Sequence, residues 1–591
     1  MRAFLVLYLC LSVNLFAQDA NLAMDYFKKG DYEKAVYEYK KLYAQSPSNI
    51  TYINQIIASQ QQLEQYDEAE TFINKIISKI NYPAFFVELG FNYQLKNDLQ
   101  NAHIYYEKAL ESINERPSNV FSIARSFQNH SLLNEAIVAY EKGMGLNPDY
   151  NFNIQLAQLY GEQGHIEKMF NSYLNFAEYN PVALSDIKRR INGFLSDSSD
   201  DENNAMLRKL LLKKMQQQPN LLWNQMLSWL FIQQKDFTKA FIQEKAIFNR
   251  QPISLDRIQE LALIATDENK NDVAKEIFNY IVNKAQDLET KLNAHYNLIQ
   301  IETYESSEKD YILINEKYKK LFEEFGTFSQ TLKLQIAYGH FLAFYMGKTN
   351  EATKFLEKTL ELPLSELLKA QVKLELGDIL VLQEKFNQAL IYYTQIQRNL
   401  KNSTISQEAR FRVAKASYYK GDFKWAESQL KILKSSTSQL IANDALDLKL
   451  LISDNKYEDS LQTALKLYSK ADLLAFQNKK EEAISLLDII LNEHKTEPIV
   501  AQALFKQAQL FQQKSQFLMV KTNYENIIAN FRDGILADDA YFNLGLLFEK
   551  YLEEPEKAKE LYEQIIFNHA DSIYFVEARK RYRALRGDAL N

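Results

Sequence analysis

The chain has 591 residues, too many for one hydrophobic core, so several domains or a stacked repeat array are expected. It contains only 15 glycines and 10 prolines. Strands joined by tight turns need more of both, so the composition favours helices. The net charge of −7 argues against a nucleic-acid partner, which would require a basic surface.

The first 17 residues predict a signal peptide and not a part of the fold. Met1 and Arg2 form a short positive start, residues 3–13 are almost wholly apolar, and cleavage is expected after Ala17. The apolar run is too short for a membrane span. Cleavage would remove Cys10, the one cysteine, and with it any disulfide, thiolate metal site or cysteine nucleophile.

A small residue then recurs at a fixed interval, which indicates stacked repeats. The spacing is 33–34 from Ala35 to Ala136 and 37 from Ala352 to Ala426. Met169 and Ser460 take the same place with other side chains, and a degenerate repeat is expected near Val520. The predicted repeat-packing residues are Ala35, Ala69, Ala102, Ala136, Ala240, Ala274, Ala352, Ala389, Ala426, Ala483 and Ala558.

Each unit predicts two amphipathic helices joined by a polar turn. In one unit, Leu89, Gly90 and Tyr93 share a helical face, and Ala102 and Tyr106 share the next. A methyl side chain at the recurring position lets neighbouring helix axes approach to about 8–10 Å. The recurring alanine is therefore expected inside the helix packing.

This pattern resembles the tetratricopeptide repeat family. The resemblance rests on Leu-Gly-x-x-Tyr at 89–93 with Ala-x-x-x-Tyr at 102–106, and on its counterparts at 123–140 and 544–562. It implies an all-α solenoid of about 13–15 helix-turn-helix repeats. The layout of residues 538–578 is similar to the last repeats of periplasmic members that serve outer-membrane assembly and cell-envelope coordination.

The spacing also predicts an organisation along the chain. After the signal peptide we expect a regular array at 18–195, an acidic loop at 196–204, middle repeats at 205–286 and a longer-period array at 287–591. Calcium is an alternative for the acidic segment, but the ligand order and glycine of an EF-hand are missing, so a solvated loop is favoured.

No pattern predicts chemistry. The seven histidines form no zinc-binding pair, no Gly-x-Ser-x-Gly elbow occurs, and the glycines at 143, 145, 161 and 164 are interpreted as helix caps. His340 is expected to be packed or hydrogen-bonded between helices. We therefore predict no catalytic residue, no metal site, no cofactor and no enzyme activity.

The last helix is basic, with two interpretations. One is a polar cap on the end of a solenoid, which is favoured, and the other is docking on acidic lipid or an acidic partner. The residues concerned are Arg579, Lys580, Arg581, Arg583 and Arg586.

By the register of the family, the first helix of each unit lines a concave groove. The mixture of amides, rings and one arginine there suits an extended peptide, although Phe91 and Phe121 fit a core position equally well. The candidate partner-binding residues are Asn54, Gln61, Phe91, Gln94, Phe121, Arg125, Gln128 and Gln158.

The resemblance implies a non-enzymatic scaffold or adaptor that binds partner proteins of an envelope or secretion complex. The expected location is the periplasm, with peripheral attachment to the outer membrane as an option, and no transmembrane span is expected in the mature chain. Two alternatives stay open: a protein that binds peptidoglycan or another polysaccharide, and a ligand-sensing regulatory module.

Overall fold

The computed structural model describes residues 20–433, 438–456 and 462–588. Within these ranges the chain forms helices and no strand, and successive helices pack as hairpins. The predicted all-α solenoid is therefore confirmed. The signal peptide, its Cys10 and Ser460 lie outside the described residues.

The chain divides into two compact units, one up to Ile277 and one from Phe278 onward. The predicted regular array therefore falls in unit 1, whereas the predicted middle repeats at 205–286 extend across the boundary into unit 2. The predicted start of the longer-period array, residue 287, lies just inside unit 2. Ile277 and Phe278 are neighbours in one helix, so the boundary does not coincide with a loop.

Unit 1 is built almost entirely of helical hairpins, with short 3-10 turns at Pro117–Asn119 and Pro181–Ala183. Its helices are α1 (20–28), α2 (Tyr32–Gln45), α3 (Ile50–Gln62), α4 (Tyr66–Ile77), α5 (Ala84–Leu95), α6 (Leu99–Glu115), α7 (Val120–Asn129), α8 (Leu133–Leu146), α9 (Asn153–Glu162), α10 (Ile166–Tyr179), α11 (Leu184–Asn192), α12 (Glu202–Gln217), α13 (Leu221–Gln233), α14 (Phe237–Arg250), α15 (Asp256–Asp267) and α16 (Asn271–Lys284), which crosses the boundary.

Unit 2 contains longer helices, with 3-10 turns at Glu308–Asp310 and Ser329–Thr331 and a π-helical turn at Phe341–Tyr345. Its helices are α17 (Leu288–Glu305), α18 (Tyr311–Phe325), α19 (Leu332–His340), α20 (Thr349–Thr359), α21 (Glu366–Leu382), α22 (Phe386–Asn399), α23 (Thr404–Tyr419), α24 (Phe423–Leu433), α25 (Gln439–Asp454), α26 (Thr463–Phe476), α27 (Lys480–Glu493), α28 (Ile499–Gln513), α29 (Phe517–Asn530), α30 (Ala537–Lys550), α31 (Pro555–Asn568) and α32 (Phe575–Arg586).

The turn inside the hairpins repeats one backbone feature. Five positions before each recurring alanine, and also before Met169 and Val520, one residue has a positive φ. This residue reverses the chain between two helices. Glycine adopts this conformation at no cost, whereas other residues are strained there. The positions are Gly30, Glu64, Asn97, Ser131, Gly164, Lys235, Asn269, Gly347, Glu384, Gly421, Asn478, Ser515 and Glu553.

Helix α25 departs from this series. The residue five positions before Ser460 is Asn455, whose φ is −108°, so the usual turn is not made there. Helix α25 packs against α24 and α23, while α26 forms the next hairpin with α27 and also packs on α23 and α28. The order of helices along the chain and the order of hairpins in the stack therefore differ at this point.

The first turn of α12 lies inside the segment predicted as an acidic loop. Residues 202–204 are helical, and the carboxylate of Asp201 caps the helix by accepting from the backbone N–H groups of Asn203 and Asn204. The buried Asn204 side chain donates to the carbonyls of Ser196 and Ser198 at 2.8 and 2.6 Å. The loop is therefore shorter than predicted, and the side-chain amide of Asn204 holds its backbone in place.

Three of the four predicted helix caps are wrong, because Gly143 and Gly145 lie within α8 and Gly161 lies within α9. Gly143 lies within α8, where a Cβ atom would come within 2.8 Å of the Val120 side chain. It therefore allows a close approach between two helices. Gly164 does fit the cap prediction, since it has a φ of +74° and lies just after Gln163, the residue that caps α9.

Candidate partner-binding surface

The recurring small residues lie where the helices meet. Each of the eleven predicted repeat-packing alanines is at most 2% exposed, and the degenerate position Val520 is fully buried in α29. Met169 is also buried, and its sulfur lies 3.0 Å from the place where a Cβ on Gly161 would be. The larger side chain is thus accommodated by a glycine on the facing helix.

The eight candidate partner-binding residues do not form one uniform surface. Three of them are exposed: Phe121, Arg125 and Gln158. Four are half-buried, and Gln61 is buried at 6% exposure. The surface available to a partner is therefore narrower than the register predicts and is centred on α7 and α9.

Phe121 is the most exposed ring of the predicted set. It is 54% exposed, although it stands in the first turn of a helix whose Ile123 and Phe127 are fully buried. Its ring meets the edges of Tyr150 and Phe152 at centroid distances of 5.2 Å. These contacts fix the ring in place and leave one side of it open, with Arg125 exposed one turn further along α7.

Phe91 has a different environment, because its ring stacks on His130 at 3.9 Å. The Nε2 atom of His130 lies 2.9 Å from Oε2 of Glu88, and the Ser126 hydroxyl donates to Oε1 of Glu88 at 2.6 Å. Glu88 is buried and receives both groups from the next hairpin. These residues therefore join two hairpins. The repeat spacing in the sequence did not predict this contact.

The half-buried glutamines are used inside their own hairpins. The hydroxyl of Tyr106 donates to Oε1 of Gln94 at 2.8 Å, and that of Tyr140 donates to Oε1 of Gln128 at 2.9 Å. Burial of each tyrosine raises the pKa of its hydroxyl, so both remain neutral donors at physiological pH. Only the amide nitrogens of these glutamines stay available to a ligand.

The amides of α3 are less engaged. Oδ1 of Asn54 and Nε2 of Gln61 are buried atoms with no hydrogen-bond partner among the described residues. A buried amide atom without a partner is destabilising.

The other polar features of the sequence are engaged in structure. Nδ1 of His340 lies 2.9 Å from Oε1 of Glu375, and its ring stacks on Phe344, so the prediction of a hydrogen-bonded interface residue is confirmed. Arg581 of the basic last helix pairs with Glu549 and Glu577 at 2.8 Å. Arg579 and Lys580 are exposed.

No group of three His, Cys, Asp or Glu residues in the described ranges is arranged to hold a metal ion. Nor does the described part of the chain contain a helix that is both long and apolar enough to span a membrane.

The last hairpin shows how a repeat is assembled. A Cβ atom on Gly545 of α30 would lie 2.7 Å from Cε1 of Tyr562 in α31, and Ala558 is fully buried beside it. The Tyr562 hydroxyl donates to Oε2 of Glu549 at 2.6 Å. Residues 539–572 match the tetratricopeptide repeat family. This tetratricopeptide repeat covers most of α30 and all of α31.

Three of the solved structures to which this chain is similar share little sequence with it. They include a chain in the structure of Naa15/Naa10 bound to HypK-THB, with 10% identity, 97% of this chain and 94% of that chain covered, and a TM-score of 0.29. A chain of the APC/C hetero-tetramer Cut9-Hcn1 has 11% identity, 95% of both chains covered and a TM-score of 0.20.

Yeast Tom70 has 16% identity, with 90% of this chain and 98% of that chain covered and a TM-score of 0.28. All three TM-scores lie below 0.5. No curated protein matches the sequence at a significant level.

Proposed function

We propose that this chain is a non-enzymatic protein–protein interaction scaffold or adaptor of the bacterial cell envelope, which works in envelope assembly or secretion. The observation that carries the proposal is the open ring of Phe121 beside the exposed Arg125 on the first-helix face of one hairpin. Aromatic residues and arginine are the side chains most enriched at protein interfaces.

The contacts within the fold leave 54% of Phe121 exposed. Burying a phenylalanine side chain fully is worth about 1.5–3 kcal/mol, and much of that gain is still available at this ring. Tyr150 and Phe152 hold the ring in place, so a partner would lose little conformational entropy in binding it. A pre-positioned ring with an adjacent cation fits an extended segment of another protein.

The proposed location is the periplasm, at the periphery of the outer membrane. It is supported by the signal-peptide pattern of residues 1–17 and by the sequence resemblance of residues 538–578. Mass spectrometry of the protein recovered from the native envelope should give a mature N-terminus at Gln18. Recovery of an intact Met1 from a cytoplasmic fraction would contradict the proposed location.

A site-specific crosslinker tests the interaction directly. A photoreactive phenylalanine analogue at position 121 should capture discrete proteins in cells. The matched control carries the same analogue at Val138, which is 46% exposed on α8, the second helix of the same hairpin. Capture from position 121 and not from 138 is the expected result, and capture of no protein at 121, or of the same proteins at both, would overturn the proposal.

Crosslinking at position 121, together with a sedimentation assay, also distinguishes the two alternative functions. If the chain binds peptidoglycan or another polysaccharide, the purified mature protein will sediment with the isolated glycan, and crosslinking at 121 will yield no protein. A ligand-sensing regulatory role would appear as partner capture that depends on an added small molecule.

A further inference from the structure

A cavity of about 170 Å³ lies within unit 2, between α21, α22, α23 and α26. Four aromatic side chains line it: Tyr393, Phe411, Tyr419 and Phe476. Four charged side chains also line it: Asp378, Glu408, Arg412 and Lys415.

One side of the cavity is formed by Phe476, which is distant in sequence from the other lining residues. Phe476 ends α26, and its ring stacks on Tyr419 of α23 at 6.0 Å. The following residue, Gln477, donates through Nε2 to the carbonyl of Leu382 at 3.0 Å, and Lys470 pairs with Glu384 at 2.9 Å. These bonds hold α26 against the end of α21 and close the cavity on that side.

Three of the four charged residues satisfy one another. Arg412 forms ion pairs with Asp378 and with Glu408, the second through Nε at 3.0 Å. The Tyr393 hydroxyl donates to Oδ1 of Asp378 at 2.7 Å. The guanidinium is therefore shared between two carboxylates, and neither of them is left without a donor.

Lys415 is different, because its ammonium group has no ion pair or hydrogen bond with any described residue. Its Nζ atom lies 5.8 and 5.9 Å from the ring centroids of Tyr419 and Phe476, within the range of cation–π attraction. Burial lowers the pKa of Lys415, which Asp472 only partly offsets. The nearby Asp472 already pairs with Lys506.

We propose that this cavity binds a carboxylate carried on an aromatic or branched apolar group, with Lys415 as its counter-ion and the rings of Phe411, Tyr419 and Phe476 around the apolar part. A cavity of about 150 Å³ lined by apolar side chains holds benzene, so the volume here suits a ring of that size with one charged substituent. A carboxylate at Nζ would pair with the one charged side chain of the cavity lining that forms no ion pair with a described residue.

This carboxylate has two sources, which an experiment can separate. One is a small free acid, for which phenylacetate is the probe. The other is the last residue of a bound protein segment, for which the probe is a tetrapeptide ending in phenylalanine with a free C-terminus. Phenylacetamide, phenethylamine and the amidated peptide are the matched probes without the carboxylate.

Binding is measured by calorimetry and ligand-observed NMR on the mature protein, on Lys415→Met and on the control Lys420→Met. Lys420 lies just after α23, is exposed, and donates to Oδ1 of the surface residue Asn387 at 3.2 Å. Lys415→Met removes an unpaired charge and keeps the stem of the side chain. It should therefore fold, and its thermal midpoint should be equal to or above that of the parent.

The expected result is binding of phenylacetate that Lys415→Met weakens at least tenfold and Lys420→Met leaves unchanged. Binding of the peptide alone, lost on amidation and in Lys415→Met, would assign the carboxylate to a protein segment. Equal binding of phenylacetamide or phenethylamine would overturn the proposal, and so would no binding of either carboxylate at millimolar concentration. Crosslinking at position 121 concerns unit 1, so the outcome here is independent of the proposed scaffold function.

Discussion

The ring of Tyr106 packs directly on the backbone of α5 at Gly90, where a Cβ atom would lie 2.5 Å from the ring carbon Cε1. The tyrosine cannot move aside freely, because its hydroxyl donates to Gln94 of the same helix α5. Gly545 and Tyr562 repeat this relationship in the last hairpin. The Gly in the first helix of the sequence pattern and the Tyr in its second helix therefore contact each other directly.

Gly90→Val should destabilise the hairpin of α5 and α6. The added side chain must displace the Tyr106 ring, and overpacking of this kind costs about 1–3 kcal/mol. Urea denaturation of the full chain and hydrogen exchange of α5 and α6 measure the loss. Gly145→Ala is the control, since nothing lies within 4 Å of its Cβ position, and it should be neutral or slightly stabilising. Equal effects of the two substitutions would contradict the contact.

The recurring alanine supports a parallel prediction. Ala102 is 2% exposed between helices, so Ala102→Leu should lower the free energy of unfolding by about 1–3 kcal/mol. Ala584 is exposed on α32, and Ala584→Leu should change it by less than about 0.5 kcal/mol. Thermal melts of the two variants give the comparison. A melt of Ala102→Leu that matches the parent would refute the packing role.

The hairpin turns predict opposite effects of adding and removing a glycine. Ser131 has a φ of +57°, so Ser131→Gly should raise the free energy of unfolding by about 1 kcal/mol. Gly164 holds the same position in the next hairpin with a φ of +74° and nothing near its Cβ position. Gly164→Ala should therefore lower the free energy of unfolding by a similar amount. Changes of the same sign in both variants would show that backbone strain does not govern this position.

Phe121 and Phe127 separate binding from stability within one helix. Phe121 is 54% exposed, so Phe121→Ala should weaken partner capture and leave the thermal midpoint nearly unchanged. Phe127 is fully buried, and Phe127→Ala should cost about 3–5 kcal/mol. Pull-down and thermal melts of both variants test the pair. Loss of stability without loss of capture in Phe121→Ala would place this ring in the core instead.

The pH dependence of stability should carry a signature of Lys188. Burial, with a further contribution from Arg257, lowers the pKa of Lys188 from 10.5 to about 8. Between these two values the unfolded chain binds more protons than the folded one, so the free energy of unfolding rises with pH across this window. After allowance for its partial exposure, the gain from pH 7.5 to 9.5 should be about 1 kcal/mol.

Urea titrations at pH 7.5 and 9.5 measure this gain, and Lys188→Met should abolish it. Lys188 lies with Nζ 5.9 Å from the ring centroid of Trp229, so the methionine keeps the apolar contact while removing the charge. The two proteins contain the same tyrosines, some of which ionise below pH 10, so the difference between the two pH profiles isolates Lys188. Identical pH profiles for the two proteins would rule out a depressed pKa at Lys188.

The sequence predicted the residues that pack within a repeat, because that packing repeats with the chain. Ala102, Tyr106 and Gly90 recur at fixed spacings, and each contact joins neighbouring helices. It did not predict which groove residues are free. Gln94 and Phe91 hold the register of a binding face, yet one accepts a tyrosine hydroxyl and the other stacks on His130 of the next hairpin. These uses depend on rotamers and neighbours that no period records.

By its repeats alone, the sequence determined the helical class, the hairpin unit and the buried place of the recurring alanine, because all three follow from contacts local in the chain. Only the tertiary structure decided where α26 packs and thus which side chains surround Lys415. Leu382 and Gln477, which are 95 residues apart, are joined by a hydrogen bond that brings α26 against α21, although α25 precedes α26 in the chain. A contact made once, between distant positions, leaves no periodic mark in a sequence.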